Sequence, residues 1–130
     1  MPLVENHMAR DLVTIGSEAS VVEAARQMAA RRVGAILVTS DSGLCGILTE
    51  RDVLQAVALG LDDDARVSVW MTRNPETVSA ADTTEHAAVL MLHGGFRHLP
   101  VTGEAGELVG ILSIRDVMGV AIQHEAPRGV

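Results

Sequence analysis

The chain repeats itself. Sliding the sequence along itself by 63 residues places Met8, Arg10, Thr14, Ala24, Ala25, Met28, Val38, Thr39 and Gly43 on Met71, Arg73, Thr77, Ala87, Ala88, Met91, Val101, Thr102 and Gly106. One extra residue, Glu107, moves the offset to 64, after which Leu44, Gly46, Ile47, Leu48, Arg51, Asp52 and Val53 fall on Leu108, Gly110, Ile111, Leu112, Arg115, Asp116 and Val117. Two copies are too few for a solenoid, in which each unit covers the apolar face of the next. The expectation is two similar halves packed face to face about a pseudo-twofold axis. They form a single module over 1–130, with repeat one at about 8–59, a linker at 60–66 holding Gly60 and three consecutive Asp, and repeat two at about 67–124.

Each half reads in the same order. A short turn at Met8 or Met71 leads to a brief extended piece, Val13 to Ile15 or Thr77 to Val78, and then to Ser20 or Thr83, residues that suit a helix N-cap. In the helix that follows, Val21, Val22, Ala25, Met28 and Ala29 recur at helical spacing, as do Thr84, Ala87, Ala88, Met91 and Leu92; Gly94-Gly95 ends the second copy. Two aliphatic runs come next, Ala35 to Thr39 and Leu44 to Thr49, joined by a Ser40-Asp41-Ser42-Gly43 hairpin turn, and His98 to Thr102 with Leu108 to Ser113 repeats them. A closing helix spans roughly Glu50 to Leu59 or Ile114 to Gln123, with Val53, Leu54 and Val57 on one face and Val117, Met118 and Ala121 as their equivalents. The predicted fold class is α/β (α+β), β-α-β-β-α twice over.

Composition bounds the rest. Hydrophobic residues make up 48% of the chain, yet Trp70 and Phe96 are its only aromatics, so the core is built from aliphatic side chains and Met. A domain of this size buries roughly two thirds of the surface its unfolded chain exposes and needs no staples. Cys45 is the single cysteine, which excludes an internal disulfide and suggests a reducing compartment. No apolar run reaches the ~18 residues needed to span a bilayer, and Met1 to Arg10 lacks the charged start and apolar centre of a signal peptide, so a cytoplasmic location without membrane association is expected. The formal net charge of −7 and the scarcity of stacking aromatics work against nucleic-acid binding. All ten basic residues are Arg, whose planar fork suits phosphate or carboxylate.

The most informative segment is the junction between the hairpin and the closing helix, Gly46-Ile47-Leu48-Thr49-Glu50-Arg51-Asp52 and Gly110-Ile111-Leu112-Ser113-Ile114-Arg115-Asp116. Both copies keep a hydroxyl, an Arg and an Asp in register. A hydroxyl at a helix start, beside free backbone N–H groups, suits an anion. An Asp three residues on can accept the two hydroxyls of a ribose. The same spacing also describes a capping box, which requires no ligand, and the two readings are compatible.

The doubled β-α-β-β-α pattern, the Gly-hydrophobic-hydrophobic-Thr/Ser-x-x-Asp motif and Arg97-His98-Leu99-Pro100-Val101 together resemble the CBS domain family, in a tandem pair known as a Bateman module, from about Met8 to Gln123. The resemblance implies two clefts between the repeats that bind adenosine-containing ligands as signals: AMP, ADP, ATP, S-adenosylmethionine or NAD(H). It assigns ribose to Asp52 and Asp116 and phosphate to Thr49 and Ser113, with Arg51 and Arg115 inside the motif. It puts adenine near Ile15, Ala35, Ile36, Val78, His98 and Leu99. The sites are unequal, because Gly34 corresponds to Arg97 and Glu50 to Ile114, which makes the neighbourhood of Arg97 the more favourable to phosphate; a surface salt bridge is the other reading of Arg97. The resemblance further implies a homodimer formed through the helices and, as these 130 residues contain no effector domain, an effector protein regulated in trans. The alternative is a ligand-free interaction or oligomerisation module.

Catalytic and metal chemistry find little support. Among the five His only His86 and His93 share a helix face, with no Cys or paired carboxylate at ligand spacing, so no metal is expected. Cys45 aligns with Val109 and reads as a small core residue, as Met28, Met91 and Met118 read as helix-face core. The chain carries no Walker loop, Rossmann fingerprint or Ser-His-Asp order, and an enzyme is not expected.

Overall fold

A computed structural model describes residues 1–124, and its elements follow the doubled order. The first repeat runs β1 (Thr14–Gly16), α1 (Val21–Arg31), β2 (Ala35–Ser40), β3 (Gly43–Thr49) and α2 (Glu50–Ala58). A one-turn helix α3 (Val67–Trp70) and a two-residue strand β4 (Thr72–Arg73) follow. The second repeat runs β5 (Val78–Ser79), α4 (Thr84–Gly94), β6 (His98–Thr102), β7 (Leu108–Ser113) and α5 (Ile114–His124). Residues 125–130, the end of the module expected over 1–130, lie outside the described residues.

Local chemistry starts and stops these elements where the sequence suggests. Ser20 is extended and its Oγ accepts the Glu23 N–H at 3.0 Å; Thr83 Oγ1 accepts the His86 N–H at 3.1 Å. Each bond satisfies one of the amides that a helix start leaves open. Both first helices end on a left-handed residue, Arg32 (φ 56°) in one repeat and Gly95 (φ 72°) in the other. Glycine takes that conformation without penalty, whereas a residue with a Cβ is strained there by about 1 kcal/mol or more. The hairpins turn tightly: Ser40 pairs with Gly43 across Asp41-Ser42, with Gly43 at φ 105°.

Strand β1 runs parallel to β2, which pairs antiparallel with β3, and β4 closes the edge in the order β1-β2-β3-β4. The second sheet has the order β5-β6-β7 with the same pairings. Even the irregularities repeat, since the register shifts between Val38 and Thr39 and again between Val101 and Thr102.

The chain condenses into two compact units whose boundaries are offset from the repeats. One is Val13–Pro75; the other joins Met1–Leu12 to everything from Glu76 onward. In the first, Val13, Ile15, Ala24, Met28, Ile36, Val38, Leu48 and Val67 form an aliphatic core against which Trp70 and Met71 pack. In the second, Val4, Met8, Val78, Ala87, Met91, Leu99, Val101 and Leu112 form the core, with Phe96 beside it. The stretch that opens each repeat in sequence therefore closes the other repeat's sheet. β4 pairs with β3 at Gly46↔Arg73 and Ile47↔Thr72, while Ala9 exchanges two backbone hydrogen bonds with Ile111, of 2.9 and 3.0 Å, at the edge of β7. The acidic stretch before α3 is tied to its own unit: Ala65 O accepts the Val21 N–H at 2.9 Å and the Arg66 guanidinium donates to Glu18 O.

The buried face of α4 falls within the expected stripe but is narrower, while those of α1, α2 and α5 include a neighbouring position that the stripe did not. In α1 the buried residues are Val21, Ala24 and Met28, and Ala29 is exposed; in α4 they are Thr84, Ala87 and Met91, and Leu92 is 82% exposed. In α2 only Ala56 is buried, leaving Leu54 and Val57 exposed, and in α5 Val120 is buried while Ala121 and Met118 are exposed. Met118 is thus surface rather than core. These helices carry apolar residues over a wider arc than one sheet face covers, so periodicity finds the stripe but not its centre. Cys45 is half-buried against the first core, its thiol donating to Val38 O at 3.3 Å. Among the described residues no helix is long and apolar enough to cross a membrane.

Candidate functional site

The two strand-to-helix junctions have the same construction. Thr49 ends β3 in an extended conformation (φ −110°, ψ 166°) and caps α2. Its Oγ1 accepts the Asp52 N–H at 3.3 Å, while Asp52 Oδ2 accepts both the Thr49 N–H at 2.9 Å and the Thr49 hydroxyl at 3.1 Å. At the second junction Ser113 Oγ accepts the Asp116 N–H at 3.1 Å, and Asp116 Oδ2 accepts the Ser113 N–H at 2.8 Å and its hydroxyl at 3.0 Å. Each is a complete capping box, reinforced by a carboxylate in the positive first turn of a helix. The cap uses Oδ2 alone, and Oδ1 carries none of these three bonds.

The first helical amide is also satisfied from within the unit. Glu50 N–H donates to Gly34 O at 3.0 Å, and Ile114 N–H donates to Arg97 O at 2.8 Å. With the third amide held by the cap hydroxyl, the second, of Arg51 or Arg115, is the first-turn donor these bonds leave over. The Gly34 and Arg97 carbonyls had no signature in the sequence, because a main-chain acceptor is indifferent to the side chain it belongs to. The repeated glycines of the motif are explained by packing. A Cβ on Gly46 would meet the Met71 side chain and stand 2.9 Å from Thr72 O; one on Gly110 would stand 2.5 Å from Met8 Sδ and 2.9 Å from Ala9 O. The edge segment approaches only because no side chain intervenes. Met8 and Met71 share the 63-residue register, a sequence trace of this seat, although local spacing there predicts a turn within each repeat.

The hairpin register decides which of the anticipated residues meet. Ala35 lies directly opposite Thr49, and His98 directly opposite Ser113. Thr49, Asp52 and Ala35 thus converge in one unit, and Ser113, Asp116 and His98 in the other. Thr49, Asp52, Ser113, Asp116 and His98 are half-buried and Ala35 is buried; Arg51, Arg115, Glu50 and Arg97 are exposed. Ile36 and Leu99, next along their strands, are fully buried in the two cores. Ile15 and Val78 lie farther off, across β2 and β6 from the junctions, opposite Val38 and Val101. Their side chains belong to the cores, which leaves Thr14 exposed on β1 and Ser79 half-buried on β5.

Among the described residues no buried side-chain nitrogen or oxygen lacks a hydrogen-bond partner, and no three metal-ligating side chains converge. An apolar groove of about 280 Å³ runs between α1 and α2, lined by Val22, Ala25, Val53, Val57 and Leu61 among others; Thr49 and Asp52 are not part of it.

Comparison with known proteins gives a consistent picture. The family model for the CBS domain matches residues 4–59 and again 65–122. A CBS-domain-containing protein of Agrobacterium tumefaciens, 40% identical, has a solved structure that superimposes with a TM-score of 0.84 over 92% of this chain and 93% of that one. A CBS domain protein of Pyrobaculum aerophilum, complexed with AMP, is 34% identical with a TM-score of 0.82 over 88% of both chains. A CBS domain-containing protein of Arabidopsis thaliana is 42% identical over 113 residues, which are 85% of this chain but 20% of the plant protein. The chain thus spans about a fifth of the length of that curated relative.

Proposed function

Because the chain belongs to the CBS domain family and carries two copies of that domain, a regulatory rather than a catalytic module, we propose that it senses an adenosine-containing nucleotide at its two strand-to-helix junctions and signals to a partner in trans. The observation that carries this reading is the hydroxyl–carboxylate pair built twice, in a fold whose Pyrobaculum relative is complexed with AMP. Asp52 and Asp116 hold the ribose through Oδ1, which the caps do not use, and Thr49 and Ser113 turn their hydroxyls toward phosphate. Ala35 and His98, opposite the cap residues, flank the base. The ligand class is AMP, ADP, ATP, S-adenosylmethionine or NAD(H), bound as a signal and not as a required cofactor. Binding shifts the population of conformations available to the module, and the effector reads the shift.

The exposed apolar helix faces support assembly into a homodimer. Leu92 is 82% and Ile122 63% exposed on the packed pair α4 and α5, and Leu54 is 68% exposed on α2; exposed large apolar residues of this kind mark an interaction surface. A cytoplasmic setting fits the single free thiol. The same apolar faces, with capping boxes that are complete without a ligand, favour the second reading, a ligand-free interaction module.

A thermal-shift panel of AMP, ADP, ATP, S-adenosylmethionine and NADH separates the two. A ligand present at ~100 times its dissociation constant adds about 2.7 kcal/mol to stability. A clear shift with at least one compound is expected. No shift with any of them overturns the sensing proposal in favour of the interaction module.

A further inference from the structure

Methionine sulfur is a chemistry that the junctions leave unused, and the six methionines fall into three groups. Met1 and Met118 are 83% and 55% exposed, whereas Met8, Met28 and Met91 are 9% exposed or less and belong to the two cores. Met71 alone is both half-buried and packed against a core, that of Val13–Pro75. Its side chain lies over Gly46 of β3, in the space a Cβ there would take. The strand it seats is weakly held. β4 makes two pairs with β3, Gly46↔Arg73 and Ile47↔Thr72, extended by the Asn74 N–H donating to Cys45 O at 3.3 Å, and the chain then leaves through Asn74, at φ 47°, and Pro75. α3 before it is tied to its own unit, Val67 N–H donating to Ala19 O at 2.9 Å and Ser68 N–H to Ser17 O at 3.1 Å, so the stretch that can come away is Met71 to Asn74. The equivalent Met8 is better guarded. On one side the Val4 and Glu5 N–H groups donate to Asp82 O and Ala80 O at 2.8 and 3.0 Å and Pro2 O accepts the Thr84 N–H at 3.1 Å; on the other, Ala9 pairs with Ile111.

A thioether packs as an apolar group, but its sulfur keeps a lone pair that reacts with peroxides. We infer that Met71 is an oxidant-sensitive latch on the β3–β4 edge, a modification site that takes one oxygen atom from hydrogen peroxide. In that step a lone pair of Met71 Sδ forms the S–O bond, the O–O bond of the peroxide breaks, and the second oxygen leaves as water with both protons; the sulfur is oxidised and the peroxide reduced. The sulfoxide is polar, and burying it without a hydrogen-bond partner is unfavourable, so the side chain turns to solvent and β4 loses the contact that seats it. Met8 occupies the matching position but is shielded, which confines the response to one unit. β3 runs on to Thr49, two residues past the Ile47↔Thr72 pair, so the edge that Met71 seats is continuous with the strand that sets the first junction. Cys45 and Trp70, half-buried against the same core, are the competing oxidisable groups. The latch does not depend on what the junctions bind.

The test uses the full chain, treated with hydrogen peroxide while folded and then digested for peptide mass spectrometry. Met1 and Met118 oxidise first and Met71 follows, about tenfold or more faster than Met8, Met28 and Met91, which wait on the opening of a core. With Met71 oxidised the melting temperature falls by about 3–10 °C, and hydrogen exchange quickens several-fold in peptides from 44–49 and 70–75 while 78–124 changes little. Methionine sulfoxide reductases of both stereochemical classes restore both readings. Met71→Leu fills nearly the same volume without an oxidisable sulfur, so peroxide leaves its melting temperature and exchange where they were although Met1 and Met118 still react. Reversal by the reductases decides the question in the unaltered chain should that variant fold poorly. If Met71 oxidises no faster than Met8, or oxidises with no change in exchange at 44–49, the latch is overturned. If Met71→Leu loses as much stability to peroxide as the unaltered chain, or the reductases do not reverse the change, the damage lies at Cys45 or Trp70 and the latch is again overturned.

Discussion

The crossed edge segments make a prediction opposite to the one that chain order suggests. Met8 lies a few residues before β1 of the first repeat, yet its side chain is 9% exposed within the core that contains Val4, Val78, Leu99, Val101 and Leu112. Its Sδ lies over Gly110, so close that a Cβ there would be 2.5 Å away. Truncating a core Met to Ala costs about 2–5 kcal/mol, depending on how far the surroundings collapse into the gap. Met8 sits on an edge segment held to β7 by the paired hydrogen bonds of Ala9 and Ile111, which can settle inward, so the lower part of that range applies, about 2–3 kcal/mol for Met8→Ala. For a domain of this size each kcal/mol moves the melting temperature by roughly 3–5 °C, giving a fall of about 6–15 °C. Hydrogen exchange followed by mass spectrometry locates the damage. Peptides from 78–124 should lose protection through local opening, while those from 14–59 change little. The reciprocal change, Met71→Ala, removes a half-buried side chain from the first core, costs about 1–2 kcal/mol and should loosen 14–59 instead. Loss of protection confined to 14–59 in Met8→Ala would refute the crossed arrangement.

Four further outcomes follow from named contacts. Gly110→Ala should cost about 1–3 kcal/mol in urea unfolding, since the new Cβ stands 2.9 Å from the Ala9 carbonyl and backbone must move to admit it. Arg32→Gly should raise stability by up to about 1 kcal/mol by relieving a left-handed residue, and Gly95→Ala should lower it by about 1 kcal/mol; equal and small effects at both positions would contradict the cap geometry. Asp116→Asn keeps a carbonyl acceptor for the Ser113 amide and loses only the charge, about 0.3–1 kcal/mol, whereas Asp116→Ala loses the cap bonds as well, about 1–2 kcal/mol; ligand affinity should fall in both by more than the apo stability does, and a stability loss with unchanged affinity would leave Asp116 as a cap alone. Under the proposed homodimer, Leu92→Glu, at an exposed helix position, should leave the melting temperature of a dilute sample nearly unchanged and shift the mass measured by light scattering from dimer to monomer.

What sequence could and could not disclose divides along physical lines. Elements fixed by local chemistry were legible: the Ser20 and Thr83 caps, the turn at Asp41-Ser42 and the Gly95 helix end each depend on a residue type acting on its own neighbours. The junction motif was legible for the same reason, and so was its compatibility with two roles, of which the structure shows the cap, formed in both copies. The crossing of the edge segments was not legible. A two-residue strand such as β4 has no periodicity, and nothing in Thr72-Arg73 says whether its partner lies before or after it in the chain. The inward stripes read too wide, because residues such as Leu54, Val57 and Leu92 are as apolar as the buried ones; an outward apolar face looks, in sequence, like part of the inward stripe.

The formed cap also bounds what the proposed ligand could gain from the repeated motif. At the first junction the Thr49 hydroxyl already donates to a charged oxygen, Asp52 Oδ2. A phosphate that draws this hydroxyl away exchanges one charged acceptor for another, so the net gain is well below the roughly 1.5–3 kcal/mol of a newly made bond to a charged group. A ribose hydroxyl meets a different situation, because Oδ1 is outside the cap and can accept it with every existing bond intact. Under the proposed function, the repeated pair therefore gains more from the sugar, the part common to all adenosine compounds, than from the phosphate, and its identical hydrogen bonds make that gain alike in both repeats.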